Sequence, residues 1–224
     1  MAKFTHNDWH FILRRLHSLT GIVPIGGFLL FHFFENASAR RGAAAFDKTV
    51  EAIGDMPYLY ALELGLLAVP ILFHAIYGLF ITTSSRPNVG GYGYARNWAY
   101  FFQRVSGLIA FAYILFHVST TRIYSLFFKG SAITFADMQA MLSQPIIFAF
   151  YILGIIAVVF HFSNGIWSFS VTWGLVRSPE GQKRLAQLTM VIFAILAVVG
   201  IDIVSSFIWD QGLLSRAAGA LGGF

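Results

Sequence analysis

The chain has 224 residues, of which 57% are hydrophobic, 17% aromatic and only 11% charged, with a formal net charge of +5. A soluble domain carries about 25% charged residues, so this composition describes an integral membrane protein with hardly any soluble domain, and the positive balance reports topology and not nucleic-acid binding. Cys is absent, which excludes disulfides, iron–sulfur ligation by this chain and covalent c-type haem, whose attachment needs Cys-x-x-Cys-His.

Met1 to His17 is polar, contains Asp8 and lacks an apolar core ending in small residues, so no signal peptide is expected. A spanning helix needs about 20 mostly apolar residues. Five such runs occur, at 17–36, 58–82, 101–127, 144–173 and 187–209. Polar or turn-rich stretches divide them: Arg40, Arg41, Asp47 and Glu51; then Ser84 to Asn88 and Gly90 to Gly93; then Lys129-Gly130-Ser131 with Asp137; then Arg177 to Gly181. The runs are too long for membrane strands and do not alternate. The expectation is all-α, with five transmembrane helices.

Lys and Arg set the orientation. With the N-terminus in the cytoplasm, Lys3, Arg14, Arg15, Arg86, Arg96, Arg104, Arg177, Lys183 and Arg184 lie inside. Arg40, Arg41, Lys48, Arg122, Lys129 and Arg216 lie outside. Nine against six, in short loops, places the N-terminus inside.

The first two helices are echoed by the next two. Thr20-Gly21 precedes His32 by eleven residues counted from the Gly, and Ser106-Gly107 precedes His117 by ten. Phe73-His74-Ala75-Ile76-Tyr77-Gly78 returns 87 positions later as Phe160-His161-Phe162-Ser163-Asn164-Gly165. Both halves run in the same direction, so the repeat is parallel, with a pseudo-two-fold axis along the membrane normal.

Four of the seven His residues therefore sit inside apolar helices, one per helix. Ionisable groups at that depth are costly and functional. Neutral His residues bonded to neighbouring helices are the ordinary alternative. Four related by a repeat point instead to a ligand set. At about 1.5 Å per residue, His74 and His161 lie roughly 12–18 Å from the cytoplasmic ends of their helices, and His32 and His117 roughly 20–24 Å. His74 thus faces His161 in the inner half, and His32 faces His117 in the outer half. Two imidazoles facing across a bundle suit bis-His ligation of a haem. A single tetrahedral zinc site would need four ligands at one depth. Gly26, Gly27, Gly78, Gly107 and Gly165 are expected to mark the porphyrin faces.

The chain resembles the five-helix, dihaem cytochrome b subunits of succinate:menaquinone oxidoreductases, the Bacillus-type cytochrome b558 membrane anchors. The resemblance rests on Arg14-Arg15-Leu16-His17-Ser18, Tyr60-Ala61-Leu62-Glu63, Phe73 to Gly78, Tyr94-Ala95-Arg96-Asn97-Trp98, Gln103-Arg104-Val105-Ser106-Gly107 and Phe160 to Phe169. It implies that His32, His74, His117 and His161 are axial ligands of two haems b. It also implies a flavoprotein partner with covalent FAD and an iron–sulfur partner, both on the cytoplasmic face of a bacterial membrane, with menaquinone as electron acceptor and room for a higher oligomer of the complex. Succinate oxidation and fumarate reduction are both open. The resemblance ends near Trp209; the tail Asp210 to Phe224, His6 and His10 fall outside it.

Glu63, near the outer end of helix two, is either an interfacial carboxylate or a proton relay and quinone contact. Arg14, Arg15, His17, Ser18 and Arg104 anchor topology or pair with propionates of the inner haem, since Arg binds carboxylates bidentately. Asp202 is acidic inside an apolar run and has no assigned mechanism. Trp98, Trp167, Trp173 and Trp209 fall near helix ends, as interfacial belts do. Two other functions remain open on these residues: a haem b subunit of another quinone-linked enzyme, such as a formate dehydrogenase or hydrogenase, and a non-redox transporter with a His proton relay.

Overall fold

A computed structural model describes residues 6–84, 86, 88–209 and 212–214. Lys3, Arg216 and most of the tail after Trp209, which entered the topology reading, lie outside the described residues. Every regular element among the described residues is helical. Five stretches are long and apolar enough to cross a membrane: Asn7–Arg41, Leu59–Ser84, Ala95–Lys129, Pro145–Thr172 and Pro179–Ser205.

Span one is longer than the apolar run because its amphipathic N-terminal turns are also helical. It divides into α1 (His6–Ile22) and α2 (Pro24–Asn36). The break falls where Pro24 lacks an N–H, and its fixed φ suits the first position of a new helix. A 3₁₀ turn, Ala37–Arg41, ends the span. Span two joins α4 (Leu59–Leu62) to α5 (Val69–Ser84) through a π-helical stretch, Glu63–Ala68. Span three is α6 (Ala95–Val118), followed by π-helical turns at Ser119–Ile123 and Ser125–Lys129. Spans four and five are α8 (Pro145–Thr172) and α9 (Pro179–Ser205), each with Pro in its first turn. Ser178 caps α9 by accepting the Gly181 N–H at 3.1 Å.

Two segments read as polar gaps are in fact short helices, α3 (Ala43–Gly54) and α7 (Phe135–Leu142). Their apolar content is too short to span but sufficient to cover. Phe46 of α3 meets Phe135 of α7 and Phe207 edge-on, at centroid distances of 6.1 and 5.0 Å. Together they roof the end of the bundle that holds the tips of spans one and three. The Asp47 carboxylate accepts the Phe135 N–H at 2.7 Å and locks the two helices together.

Helix α8 is the central element. It packs on α6, α9 and α1, while α1 also packs on α5. The α6–α8 seam is close because Gly154 leaves the space that the Tyr113 ring occupies. At Gly200 an added Cβ would stand 2.7 Å from Ile155 and 2.9 Å from Phe33, so α9 lies tightly on both α8 and α2. Membrane helices gain little from hydrophobic burial against one another, and such close approach supplies dispersion instead.

Asp202 now has a mechanism. It is 2% exposed, and its Oδ2 pairs with Arg40 Nε at 2.8 Å. Its Oδ1 accepts the Leu214 N–H at 2.8 Å. One buried carboxylate therefore ties α9 to the turn after span one and to the chain beyond Trp209. Removing it leaves a cation and an N–H without their partner, so Asp202→Ala is expected to lower stability by about 2 kcal/mol, read as a lower melting temperature in detergent.

Asp137 anchors the roof. Thr134 and Asp137 form a reciprocal capping box at the start of α7, and Lys129 adds an ion pair to the same carboxylate oxygen. Burial acts to raise the Asp137 pKa, but the hydrogen bonds from Lys129 and Thr134 and the Lys129 charge outweigh it and hold the carboxyl at about 2. A depressed carboxylate contributes stability that is present above its ordinary value and is lost as the pH falls through its folded value. The roof is therefore expected to loosen between about pH 4 and pH 2, measured as protease cleavage in the 129–145 region, and Asp137→Asn is expected to remove that acid limb.

Candidate functional site

Four imidazoles converge in two pairs. His74 of α5 and His161 of α8 have ring centroids 6.1 Å apart with planes at 87°. His32 of α2 and His117 of α6 have centroids 5.8 Å apart with planes at 74°. A metal bonded to an imidazole nitrogen at about 2 Å on each side sets two opposed ring centroids roughly 6 Å apart. Each ring plane contains the bond axis, so any angle between the planes is compatible. Among the described residues no three His, Asp or Glu side chains converge as a tetrahedral zinc site requires.

The free nitrogen of each ring is set by what holds the other. His74 Nδ1 lies 2.9 Å from the His17 carbonyl oxygen, and His161 Nδ1 lies 2.9 Å from the Gln103 carbonyl oxygen. A carbonyl only accepts, so Nδ1 carries the proton and the Nε2 lone pair is left free. Metal-bound His residues are oriented in this way.

The two carbonyls are related by the repeat, 86 positions apart, and each is prepared in the same manner. Thr20 Oγ1 donates to the His17 carbonyl at 2.9 Å, and Ser106 Oγ donates to the Gln103 carbonyl at 3.1 Å. Next in each helix stands a glycine. A Cβ on Gly21 would lie 2.5 Å from His74 Cε1, and one on Gly107 would lie 2.9 Å from His161 Cε1. The Thr20-Gly21 and Ser106-Gly107 echo is thus a seat for an imidazole arriving from the neighbouring helix.

This revises the expected role of the glycines. Gly107 admits the His161 ring, and Gly26 admits the Phe162 ring. Gly78 faces His17, whose Cε1 would be 3.2 Å from an added Cβ. Gly165 looks toward Gln103 and Ile22, and nothing lies within 4 Å of a Cβ on Gly27. Helix-to-helix contacts fill the places at Gly26, Gly78 and Gly107 that were expected to border a macrocycle, while the place at Gly27 stays open.

His17 stacks on His74 at 4.0 Å between centroids, with planes 15° apart. Its Nδ1 and the Nε of Arg15 are buried without partners. The Arg15 guanidinium lies between the Phe11 and Trp173 rings, 4.9 Å from each centroid, and Trp173 donates to Ser18 Oγ at 3.0 Å. Arg14 stands beside them in α1. Arg104 turns away, donating to the Ile81 carbonyl at 3.2 Å and covering the Tyr100 ring. Arg15 Nε, and His17 Nδ1 in the tautomer that protonates it, are unpartnered on α1 and fit an anionic group there; Arg104 in this pose does not supply a third donor.

At the other pair, His32 Nδ1 lies 2.8 Å from Glu35 Oε1, and His117 Nδ1 lies 3.2 Å from the Tyr151 hydroxyl. A cavity of about 140 Å³ opens beside both rings, with Asn36, Phe46 and Met138 in its wall. Glu63 is not a lone interfacial carboxylate. Its Oε2 pairs with Arg122 Nη2 at 2.7 Å, and Arg122 also lies over the Tyr60 ring at 5.6 Å. Both partners sit in π-helical turns, which recur at functional sites.

The family described as succinate dehydrogenase/fumarate reductase transmembrane subunit matches residues 85–200. The succinate dehydrogenase cytochrome b558 subunit of Bacillus subtilis (strain 168) is 40% identical over 198 residues, covering 88% of this chain and 97% of that protein. The chain belongs to this family. It is thereby a membrane subunit of an oxidoreductase complex, and neither the transporter nor the formate dehydrogenase and hydrogenase readings stand.

Several residues that contact these imidazoles or their neighbours were not singled out as site residues in the sequence. Asn164 Nδ2 donates to Gln103 Oε1 at 2.7 Å, and Gln103 Nε2 donates to the His161 carbonyl at 3.0 Å. This gives the Asn of Phe160 to Gly165 its purpose. Gln103 stands 86 positions after His17, the spacing of the repeat, and that offset was the available signal. Glu35 had one as well, its place one helical turn after His32; Tyr151 and Arg122 had none, because only the fold brings each to its partner.

If Gly21 and Gly107 exist to seat imidazoles, Gly107→Ala is expected to cost about 1–3 kcal/mol by overpacking, while Gly27→Ala is expected to be neutral. Thermal melts of the purified complex compare the two.

Proposed function

We propose that this subunit holds two haems b between its repeated helix pairs, His74 with His161 and His32 with His117, and conducts electrons across the membrane to menaquinone. The observation that supports the reading is the matched carbonyl seat of His74 and His161, which leaves the Nε2 lone pair free on both of two rings 6.1 Å apart. The haems would supply one-electron transfer through irons with no open coordination position. The chain's own residues orient four imidazoles, exclude water and set the two heights.

The His6 end of the bundle is the cytoplasmic face in this reading, in keeping with its excess of Lys and Arg. There the flavoprotein and iron–sulfur subunits dock. Arg15 and His17, each with a buried unpartnered nitrogen, accept the propionates of the inner haem, with Arg14 and Ser18 beside them. Arg104 joins only if it leaves the Ile81 carbonyl. The complex lies in the bacterial cytoplasmic membrane.

The roofed end carries quinone chemistry. Reduction of menaquinone takes two electrons and two protons, and Glu63 passes protons to the quinone oxygens from the outer side. Arg122 keeps Glu63 at its post between turns. Electrons drawn outward across the membrane couple to about 2.3 kcal/mol per 100 mV each, so quinone reduction at this face draws on the membrane potential.

Haem quantitation is the decisive measurement. Wild type is expected to carry two haems per chain, with His74→Ala and His117→Ala each losing a different one; one haem in wild type, or the same loss in both variants, overturns the pairing. Glu63→Gln is expected to keep both haems while quinone reduction falls about 100-fold, measured with succinate and a soluble menaquinone analogue.

A further inference from the structure

The four imidazoles are not held alike. Three have neutral partners at Nδ1: the His17 carbonyl for His74, the Gln103 carbonyl for His161 and the Tyr151 hydroxyl for His117. His32 alone among them meets a carboxylate, Glu35 Oε1 at 2.8 Å. Glu35 is one turn further along α2, so the contact is built into the His32-Phe33-Phe34-Glu35 spacing. Its side chain is 15% exposed and that of His32 33%, so solvent screens the contact only in part. Asn36 secures it, donating to the His32 carbonyl at 2.8 Å and reaching Glu35 Oε1 at 3.4 Å, and the same amide lies 3.3 Å from His32 Nδ1 and 3.5 Å from Nε2.

We propose that Glu35 is a positioning residue for His32 and lowers the reduction potential of the outer haem relative to what a neutral partner would give. This rests on the bis-His reading above. A carboxylate that accepts the Nδ1 proton raises the basicity of the ring and fixes it with Nε2 toward the iron. A more electron-rich ligand favours the ferric state. The negative charge close by acts in the same direction, because reduction adds an electron. Both effects act on the outer haem alone, since the inner ligands rest on backbone. The chain thereby makes two sites of equal ligand type unequal in energy.

The test is a redox titration of the intact complex, resolving the two haems by their spectra, on wild type, Glu35→Gln and Glu35→Asp. Glu35→Gln keeps an acceptor oxygen and removes the charge. The expected result is a rise in the outer haem's midpoint equivalent to about tenfold in its reduction equilibrium, about 59 mV for a one-electron couple, with the inner haem unmoved. Glu35→Asp, which keeps the charge at shorter reach, moves it less. An unmoved outer haem, or both haems moving alike, overturns the proposal. The wild type supplies a reading that needs no variant. The near-infrared charge-transfer band of the ferric haems reports electron donation by the axial ligands, and it is expected to differ between the two haems; identical bands overturn the proposal. A wild-type complex lacking two haems fails the ligation reading itself, and that is seen before any potential is measured.

Discussion

An imidazole N–H resting on a main-chain carbonyl of the neighbouring helix is the contact on which the His74–His161 pair depends. It does three things at once. It satisfies a polar group at a depth where an unsatisfied one costs several kcal/mol. It selects the tautomer, leaving Nε2 as the basic nitrogen. It also fixes how closely two helices approach, because the carbonyl is reachable only where the next residue in the ladder has no side chain. Gly21 and Gly107 meet that condition, and the hydroxyls of Thr20 and Ser106 lie on the same carbonyls as the rings. Hydroxyl back-bonding of this kind bends a helix locally and turns its carbonyl outward.

The repeat is imperfect where the two halves do different work. His17 and Gln103 hold equivalent places, yet one is an aromatic ring stacked on His74 and the other an amide bonded to the carbonyl of His161. Gln103 has a dedicated partner in Asn164. His17 has room because of Gly78 and ends with a buried nitrogen unsatisfied. A duplication thus supplies the frame, and substitutions within it separate a half with unpartnered buried nitrogens from a polar-locked half.

The outer end is built on other terms. Its rings are held by side chains, and its closure comes from α3 and α7, which have no counterpart among the described residues at the His6 end. Asp47, Asp137 and Asp202 each tie two elements there. Asp47 and Asp137, in a thin roof, cost less to desolvate than the buried Asp202, which is satisfied by Arg40 and the Leu214 N–H. Glu63 and Arg122 belong to the same region, where π-helical turns relax the regular ladder and allow two long spans to present opposite charges to one another.

Five spans, the parallel repeat, and the grouping of His74 with His161 and of His32 with His117 were legible in the chain alone, because apolar run length and residue spacing map directly onto height in a membrane. Membership of the succinate dehydrogenase and fumarate reductase transmembrane family was legible too, from stretches such as Phe160 to Phe169. The helicity of α3 and α7 was not, since eight to twelve residues of mixed polarity carry no length signal. Nor were the purposes of Gly21, Gly26 and Gly107, since a glycine announces close approach without naming what approaches. Asp202 finding Arg40, Glu63 finding Arg122 and Tyr151 finding His117 were decided by tertiary structure alone. Periodicity along one helix fixes depth and face, whereas the identity of a neighbour across the bundle depends on the rotation and tilt of both helices, and those follow from packing that no single segment encodes.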